Sequence, residues 1–462
     1  MAFIAPFCGV RFNPAKIKRL EDVVTPPYDV IDEKKQDIYQ NRNPYNMIFL
    51  DISKDPGLGD TSARRYQQSR DHFVNWQQEE ILVQDSEPAI YLYCTDYTLP
   101  TGERRTRKGL VSLVRLCEFS EDVVKPHEET FATVTSDRLK LLDATRAQFS
   151  QIFSLYQDRE GEILATLEAA RNSEPISEVC DADGVCHTVW AVTDRQTIAR
   201  AGELFQKKSL YIADGHHRYS TALRYRKQIL ERDGEIADDS PFNYTMMYLC
   251  PAEDPGLAVL TPHRLVRVPD DVLPASTTVD ELAARLSAGF SLEEISDGSR
   301  ETLVAELHHR LLDDGNCQPE ENATRLGLYH AGEDRCFLMT LKNGAMQGKI
   351  LEREPVLRDL DVVVLSDFVL GHCLGLQEER CENENLVRFF SELDVALDVA
   401  VKESVELEDS MPLLFLMNNT QVTQVIRVAD KQLVMPHKST FFYPKVVTGL
   451  LMYKLAEPDS GG

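Results

Sequence analysis

The sequence has no long hydrophobic run, and no apolar stretch reaches the ~18 residues that a membrane-spanning helix requires. The first residues, from Met1 to Phe7, also lack the basic segment and longer apolar core of a secretory signal peptide. These absences argue against a membrane protein and against a secreted one. We therefore expect a cytoplasmic protein, and its 462 residues are enough for two or three domains.

Basic residues are clearly outnumbered by acidic ones. The chain has 50 Lys and Arg against 75 Asp and Glu, which gives a formal net charge of −25 at pH 7. Nonspecific binding to nucleic acid needs Lys and Arg surfaces that neutralise phosphates, so a nucleic-acid partner is disfavoured. A local basic pocket for a small anion remains compatible with this composition.

Several signature motifs of nucleotide-binding proteins and hydrolases are missing. The chain contains no Gly-x-x-x-x-Gly-Lys-Ser/Thr, no Gly-x-Gly-x-x-Gly after a strand, and no Gly-x-Ser-x-Gly. The sequence therefore disfavours a P-loop nucleotide-binding protein, a Rossmann dinucleotide-binding protein and a hydrolase with a nucleophile elbow.

Cysteine spacing gives no metal signature. None of the ten cysteines forms Cys-x-x-Cys, and no second pair joins Cys180 and Cys186 to complete a zinc site. No His-Glu-x-x-His is present either. We expect reduced, mostly buried thiols in a reducing compartment, and no metal site built by the protein alone.

The most informative stretch that is present runs from Ala213 to Tyr219 and reads Ala-Asp-Gly-His-His-Arg-Tyr. It follows an apolar segment, Leu210 to Ile212, and it opens a segment with helical spacing, so a strand is predicted to enter a helix through one glycine turn. The amino end of a helix exposes unpaired N–H groups and favours anions. Arg218 and a protonated histidine beside such a terminus make a phosphate site plausible, with Asp214 as a base or metal ligand.

A second His-His-Arg run, at residues 308–310, tests the strength of this signal. It lies in a segment where Leu303, Leu307 and Leu311 recur every four residues, which predicts the solvated face of an amphipathic helix. The three residues alone are therefore a weak signal. A purely structural alternative stays open at this point, in which Asp214 caps the helix and Arg218 pairs with a surface carboxylate.

The predicted elements favour an α+β fold, because strands and helices mix without a strict βαβ rhythm. We place an N-terminal α+β domain with the Asp-Gly-His-His-Arg motif at residues 1–268 and a C-terminal α+β domain at residues 269–462. Thr278 to Glu281 fits a capping box, and residues 279–350 read as helix, strand, helix, strand, strand. We also predict a long helix over residues 382–403 and a closing helix over residues 443–455.

Over nearly its whole length the chain resembles a bacterial family labelled only as proteins of unknown function, DUF1015. The resemblance is carried by several runs in order: Thr25-Pro26-Pro27-Tyr28-Asp29-Val30-Ile31, Asn43-Pro44, His127-Glu128-Glu129-Thr130, Asp137-Arg138-Leu139, Ile152-Phe153, Ala213 to Tyr219, and Lys438-Ser439-Thr440. Membership in that family implies no activity.

Residues 214–219 with Ala222 and Leu223 also resemble the core of free serine kinases in the ParB/sulfiredoxin-like superfamily. These enzymes transfer a phosphoryl group from a nucleotide to the hydroxyl of free serine. The resemblance implies a ParB/sulfiredoxin-like mixed core, with Mg²⁺ and ATP or ADP as cofactors. It makes Asp214 the base facing the acceptor hydroxyl and Glu128 a carboxylate that positions the acceptor. The phosphates would be held by four residues, Gly215, His216, His217 and Arg218.

We expect six further residues to support the site or contact substrate: His127, Arg138, His263, Lys438, Ser439 and Thr440. The leading hypothesis is a nucleotide-dependent kinase for a small hydroxylated metabolite, with free serine as the first guess. The alternatives are a ParB-type nucleotide-hydrolysing switch, a ParB-like DNA-binding protein, which the negative charge disfavours, and anion binding without catalysis.

Overall fold

The computed structural model describes most of the chain. The described residues are 1–52, 62–99, 102–130, 132–274, 276–296, 298–312, 324–348, 353–358, 360–407, 409–436 and 438–455.

The strands differ in length from two to twelve residues. In chain order they are β1 (Ile4–Ala5), β2 (Val10–Phe12), β3 (Leu82–Gln84), β4 (Ile90–Thr98), β5 (Arg104–Arg115), β6 (Val124–Lys125), β7 (Ala147–Gln148), β8 (Ile152–Tyr156), β9 (Ser177–Cys180), β10 (Cys186–Val192), β11 (Leu210–Asp214), β12 (Tyr244–Pro251), β13 (Ala258–Leu260), β14 (His263–Pro269), β15 (Phe290–Ile295), β16 (Arg325–His330), β17 (Arg335–Leu341), β18 (Val387–Phe390), β19 (Ser410–Leu416), β20 (Phe441–Tyr443) and β21 (Tyr453–Lys454).

The α-helices are interspersed with these strands. They are α1 (Glu33–Arg42), α2 (Ile48–Asp51), α3 (Ser62–Gln78), α4 (Ala132–Thr145), α5 (Glu162–Ala170), α6 (Arg195–Phe205), α7 (His216–Asp233), α8 (Val279–Leu286), α9 (Arg300–Leu312), α10 (Pro355–Arg358), α11 (Asp361–Val363), α12 (Glu378–Asn383), α13 (Leu393–Glu406) and α14 (Val422–Asp430). A π-helix, Val364–Leu374, follows α11. None of the described helices is both long enough and apolar enough to cross a membrane.

The chain forms two compact units. The first consists of Met1–Ala258 together with Pro444–Gly462, and the second consists of Val259–Tyr443. The predicted domain boundary between residues 268 and 269 stays a prediction, because compact units do not show which parts of the chain fold independently. The first unit is discontinuous, because the chain leaves it and returns to it near the carboxyl end.

The first unit contains a mixed sheet in the order β6-β11-β8-β12-β5-β4-β10-β9, with β1 also paired to β5. The pairs β11–β6 and β12–β8 are parallel and the other pairs on this path are antiparallel. Apolar side chains of this sheet pack with residues of α5, α6 and α7 in one core cluster. This packing fixes the start of α7 against the end of β11.

The second unit contains an antiparallel sheet in the order β15-β17-β16-β19-β14-β18. Residues of α9 and α13 pack on it, and Leu303, Leu307 and Leu311 of α9 are buried there. The amphipathic helix predicted around the second His-His-Arg run is therefore confirmed. Mixed and antiparallel sheets with interspersed helices make the protein α+β, as predicted.

Two predicted helices are wrong. Residues 382–403 contain the end of α12, the strand β18 and the start of α13, because Asn385 takes a positive φ of 50° and the next segment pairs with β14. Residues 443–455 form no helix. Pro444 and Gly449, with φ of 108°, interrupt that segment, and its backbone bonds to Val10 and Thr25.

The expectation of reduced thiols is wrong for one pair of cysteines. The antiparallel register of β9 and β10 places Cys180 opposite Cys186, and the two form a disulfide. Of the other described cysteines, Cys250, Cys336 and Cys381 are buried thiols and the rest are half-buried. Cys317 lies outside the described residues.

Candidate functional site

The predicted strand, glycine turn and helix at residues 210–233 are confirmed. All five residues of β11 are buried, and α7 begins directly after Gly215. Gly215 has φ of 94°, a left-handed conformation that side chains other than glycine rarely adopt. A Cβ atom there would also lie only 2.9 Å from the Arg218 Nε. The glycine therefore lets the Arg218 side chain fold back over the turn.

Asp214 receives two cations. Its Oδ2 accepts a hydrogen bond from Arg218 Nη2 at 2.5 Å, and its Oδ1 accepts one from Lys445 Nζ. Burial alone would raise the pKa of Asp214, but Lys445 and Arg218 outweigh it and hold that pKa well below its usual range. Asp214 is therefore an ionised carboxylate and a poor proton acceptor while both cations remain in place.

The structural alternative from the sequence is wrong in both parts. The N-cap position of α7 is Gly215, with no capping hydrogen bond from a side chain, so Asp214 does not cap the helix. Arg218 pairs with the buried Asp214 rather than with a surface carboxylate, and its Nη1 donates to Ser150 Oγ and to the Gln151 carbonyl.

A second carboxylate, Asp29, lies in the same electrostatic environment. It belongs to a 3₁₀ turn, Tyr28–Val30, that follows Pro27. Dense protein surroundings and the Asp214 charge raise the pKa of Asp29, although Lys445 and Arg218 oppose the rise. Asp29 stays open to solvent, so hydration moderates the rise. Two neighbouring carboxylates with opposite pKa shifts can divide the work of a proton acceptor and a charge organiser.

His127 and His216 form a buried pair. Their ring centroids are 4.7 Å apart with an edge-to-face geometry, and His216 Nε2 accepts a hydrogen bond from the His127 backbone N–H at 3.2 Å. Burial lowers the pKa of His127 to about 4 and that of His216 well below its ordinary value. Both imidazoles are therefore neutral at physiological pH, and the His216 proton resides on Nδ1.

Glu128 lies on the other side of His216. Its Oε2 is 3.8 Å from His216 Nδ1, too long for a direct hydrogen bond but close enough to favour that tautomer. His217, the next residue, is half-buried, and its backbone carbonyl accepts a hydrogen bond from the Thr221 hydroxyl at 2.7 Å.

Arg138 is tied into a structural network. Its guanidinium donates to Asp51 Oδ1 at 2.7 Å and to Asp137 Oδ2 at 2.6 Å, and it lies 4.3 Å from the centroid of the Tyr28 ring. Both carboxylates raise the pKa of this buried arginine against the effect of burial. Arg138 therefore connects the Tyr28 turn with α2 and α4.

A cavity of about 60 Å³ lies between α4, α7 and the segment that enters β8. Two buried polar atoms of residues that line it, Asp51 Oδ2 and Arg218 Nε, have no hydrogen-bond partner among the described residues. The cavity has room for roughly four water molecules, which suits a small polar group but not a whole nucleotide. Its fourteen lining residues are Tyr28, Asp51, Arg138, Leu141, Leu142, Ala147, Gln148, Phe149, Ser150, Ile152, Arg218, Thr221, Ala222 and Thr245.

The described residues contain no group of three or more metal-binding side chains of the His, Cys, Asp and Glu types. The pair Asp29 and Asp214 nevertheless supplies the kind of ligands that Mg²⁺ takes, since it is commonly held by one or two carboxylates together with substrate phosphates.

The remaining predicted site residues belong to the second unit. His263 is buried at the start of β14, and its Nδ1 accepts a hydrogen bond from the Met417 backbone N–H at 3.2 Å. Ser439 is buried and its hydroxyl donates to the Pro436 carbonyl, whereas Lys438 is exposed and Thr440 is half-buried.

Sequence reasoning missed two members of the first-unit site. The sequence pointed to Asp29 only as part of the run that carries the family resemblance, and Lys445 lies in the segment that was predicted to be a helix. Lys445 is 231 residues from Asp214, and nothing in its local sequence marks it as a partner of that carboxylate.

Comparison with known proteins gives one family. A family model described as "Protein of unknown function (DUF1015)" matches residues 4–363, which is more than three quarters of the chain. Comparison with curated proteins finds no match.

Solved structures give several distant neighbours. A conserved hypothetical protein from Pyrococcus furiosus has a TM-score of 0.30 and 14% identity, over 73% of this chain and 94% of its own. A free serine kinase in complex with AMP has a TM-score of 0.31 and 11% identity, over 71% of this chain and 89% of its own. SbnI from Staphylococcus aureus, truncated at its C-terminus, has a TM-score of 0.32 and 9% identity, over 76% of this chain and 90% of its own. The AMP complex is a finding about the free serine kinase itself.

Proposed function

This chain belongs to the DUF1015 family of proteins of unknown function, and we propose that it transfers a phosphoryl group from a nucleotide to the hydroxyl of a small metabolite. One observation carries the proposal. Arg218 and Lys445 converge on Asp214 at the amino end of α7, and the second carboxylate, Asp29, lies within electrostatic range of all three. Phosphoryl transfer depends mainly on positioning and on charge neutralisation, which such a cluster can provide.

In the proposed site, Asp214 holds Arg218 and Lys445 in place and releases both side chains when a metal ion binds to its carboxylate. Arg218 and Lys445 then donate to the oxygens of the terminal phosphates, together with the backbone N–H groups at the start of α7. Asp214 would then hold Mg²⁺ together with the phosphates, which leaves Asp29 free of the ion. When bound, this ion neutralises charge on the phosphate oxygens. Because His216 is buried and neutral, we assign it to fixing the turn rather than to phosphate contact.

Asp29 is the better proton acceptor of the two carboxylates, because its pKa is raised and it faces solvent. In the proposed step the acceptor hydroxyl gives its proton to the Asp29 carboxylate. The hydroxyl oxygen forms a bond to the terminal phosphorus while the bond from that phosphorus to the departing nucleotide oxygen breaks. The earlier assignment of the base to Asp214 is the competing hypothesis.

The cavity beside Arg218 is the proposed place for the polar end of the acceptor. Asp51 Oδ2 calls for a hydrogen-bond donor and Arg218 Nε for an acceptor, so the cavity favours a molecule that carries both kinds of group. Free serine, with an ammonium and a carboxylate besides its hydroxyl, is the leading candidate.

The test is a product assay on the full chain. The purified protein is incubated with ATP or ADP, Mg²⁺ and serine, and phosphoserine is sought by mass spectrometry, with ethanolamine and glycerate as acceptors that each lack one charged group. We expect product from serine, at least tenfold less from the two analogues, and loss of product in Asp29→Asn. The matched control is Asp37→Asn, which removes an exposed carboxylate of α1.

The outcomes separate the hypotheses. Retained product in Asp29→Asn with loss in Asp214→Asn returns the base role to Asp214. Nucleotide hydrolysis that needs no hydroxylated acceptor favours the switch, and no measurable affinity for any nucleotide overturns both.

A further inference from the structure

The second unit contains a buried cation that forms no ion pair with any carboxylate in the described part of the chain. Arg264 lies on β14, between β19 and β18, and is only 6% exposed. Its Nη1 donates to the Pro262 carbonyl at 3.0 Å and its Nη2 to the Lys438 carbonyl at 3.3 Å. Among the described residues, no Asp or Glu oxygen forms an ion pair with this guanidinium. The hydrogen bonds of this guanidinium to described residues therefore go to neutral carbonyls and not to a counterion.

Two other arginines, Arg138 and Arg218 of the first unit, differ from Arg264 in their partners. Arg138 pairs with Asp51 and Asp137, and Arg218 pairs with Asp214, and in both cases the pKa of the arginine is raised. Burial instead lowers the pKa of Arg264 to about 10, although the Asp361 charge opposes the fall. Arg264 remains charged at neutral pH. A buried charge without a counterion is unfavourable unless another group compensates it.

A second cation approaches the same place from solvent. Lys438 is exposed, and its Nζ lies 4.9 Å from the centroid of the Phe389 ring, while the Arg264 Cζ lies 5.4 Å from that centroid. Phe389 stands opposite Arg264 in the register of β14 and β18. Two cations near one aromatic ring concentrate positive charge there, and an anion that reached both would offset that charge.

We propose that Arg264 and Lys438 form a second anion site, which binds a phosphate dianion and lies wholly within the second unit. Arg264 supplies a planar donor group from the floor of the site and Lys438 supplies a mobile point charge from its rim, a combination suited to phosphate oxygens. The site does not depend on the proposed phosphoryl transfer, because none of its residues belongs to the first unit.

The experiment is calorimetric titration of the full chain with inorganic phosphate and, separately, with glycerol 3-phosphate. Lys438→Gln should weaken one binding component at least tenfold, and Arg264→Gln should abolish it. Lys431→Gln, which removes an exposed lysine just after α14, should leave it unchanged. Circular dichroism checks the folding of each variant. If Arg264→Gln does not fold, the comparison of Lys438→Gln with Lys431→Gln decides.

The two titrants identify the source of the ligand. Tighter binding of glycerol 3-phosphate assigns the site to a phosphorylated metabolite, and equal binding assigns it to free phosphate. Unchanged phosphate binding in Lys438→Gln would overturn the proposal, and so would loss of all phosphate binding in Arg218→Gln. Because the phosphoserine assay does not involve this titration, failure of one proposal is distinguishable from failure of the other.

Discussion

At the scale of single residues, Lys445 is the decisive cation of the first-unit site because Asp214 is shared between it and Arg218. We expect Lys445→Gln to weaken ATP binding at least tenfold, about 1.4 kcal/mol, since one of two phosphate-directed charges is lost. Titration calorimetry measures the effect. Lys454→Gln is the control, because Lys454 lies in the same returning segment but donates to Gln77 Oε1 instead. Equal affinities in the two variants would contradict the assignment.

The buried His127 gives a prediction for acid stability. Its pKa in the folded protein is about 4, against an ordinary value of 6.5. Between these values the unfolded chain binds a proton that the folded protein does not, so stability falls as pH drops from about 6.5 to about 4. The loss from this group approaches about 3 kcal/mol below that window.

The measurement is urea unfolding of the wild type and of His127→Gln at pH 7 and at pH 4.5. The wild type should lose more stability between the two pH values than the variant does. A variant with the same loss as the wild type would show that His127 does not carry this dependence.

For the first-unit site, the sequence identified the Asp-Gly-His-His-Arg run but not the residues that interact with it. The Asp-Gly-His-His-Arg run was recognisable because its residue types and its place after an apolar segment are local properties. Its partners are not local. Lys445 arrives from the carboxyl end and Asp29 from the amino end, and charge pairing across such distances leaves no pattern in a single sequence.

At the scale of elements, the turn before α7 depends on its glycine for two separate reasons. Gly161, at the N-cap of α5, shares the left-handed conformation, but a Cβ there would meet nothing within 4 Å. We expect Gly161→Ala to cost about 1 kcal/mol from the backbone alone. Gly215→Ala should cost more and also weaken nucleotide binding, because the new methyl group displaces the Arg218 side chain. Urea unfolding and titration calorimetry check both effects, and equal costs with unchanged binding would contradict the second reason.

The disulfide between β9 and β10 gives a prediction of its own. Cross-linking two cysteines six residues apart stabilises a chain by about 2 kcal/mol at most on a loop-entropy basis. A reductant should lower the unfolding midpoint of the wild type but leave that of Cys180→Ser with Cys186→Ser unchanged. Equal responses of the two proteins would mean that the cross-link does not form in solution.

Elements were predictable where local signals and tertiary contacts agree. The capping box at Thr278 and the order helix, strand, helix, strand, strand after it are confirmed, and the local sequence already carried the capping and periodicity signals for them. The helices predicted over 382–403 and 443–455 failed because the decisive interactions are pairings with distant strands. β18 bonds to β14, and Met452 bonds to Val10.

At the scale of the whole molecule, the first unit needs both ends of the chain. We expect a fragment of residues 1–268 to bind ATP at least tenfold more weakly than the full chain, although it contains the whole Asp-Gly-His-His-Arg motif. The fragment lacks Lys445 and the backbone pairing of Val10 with Met452. Joining residues 444–462 to it through a flexible linker is the control and should restore binding. A fragment that binds as tightly as the full chain would contradict this dependence.

The pairing of Asp214 with Lys445 also has a consequence during synthesis. After a ribosome has added Gly215, it must still translate more than two hundred codons before it adds Lys445. Nascent polypeptides are therefore expected to remain inert towards nucleotide until translation is almost finished, and a stop codon ahead of that lysine would yield a nearly complete yet inactive product.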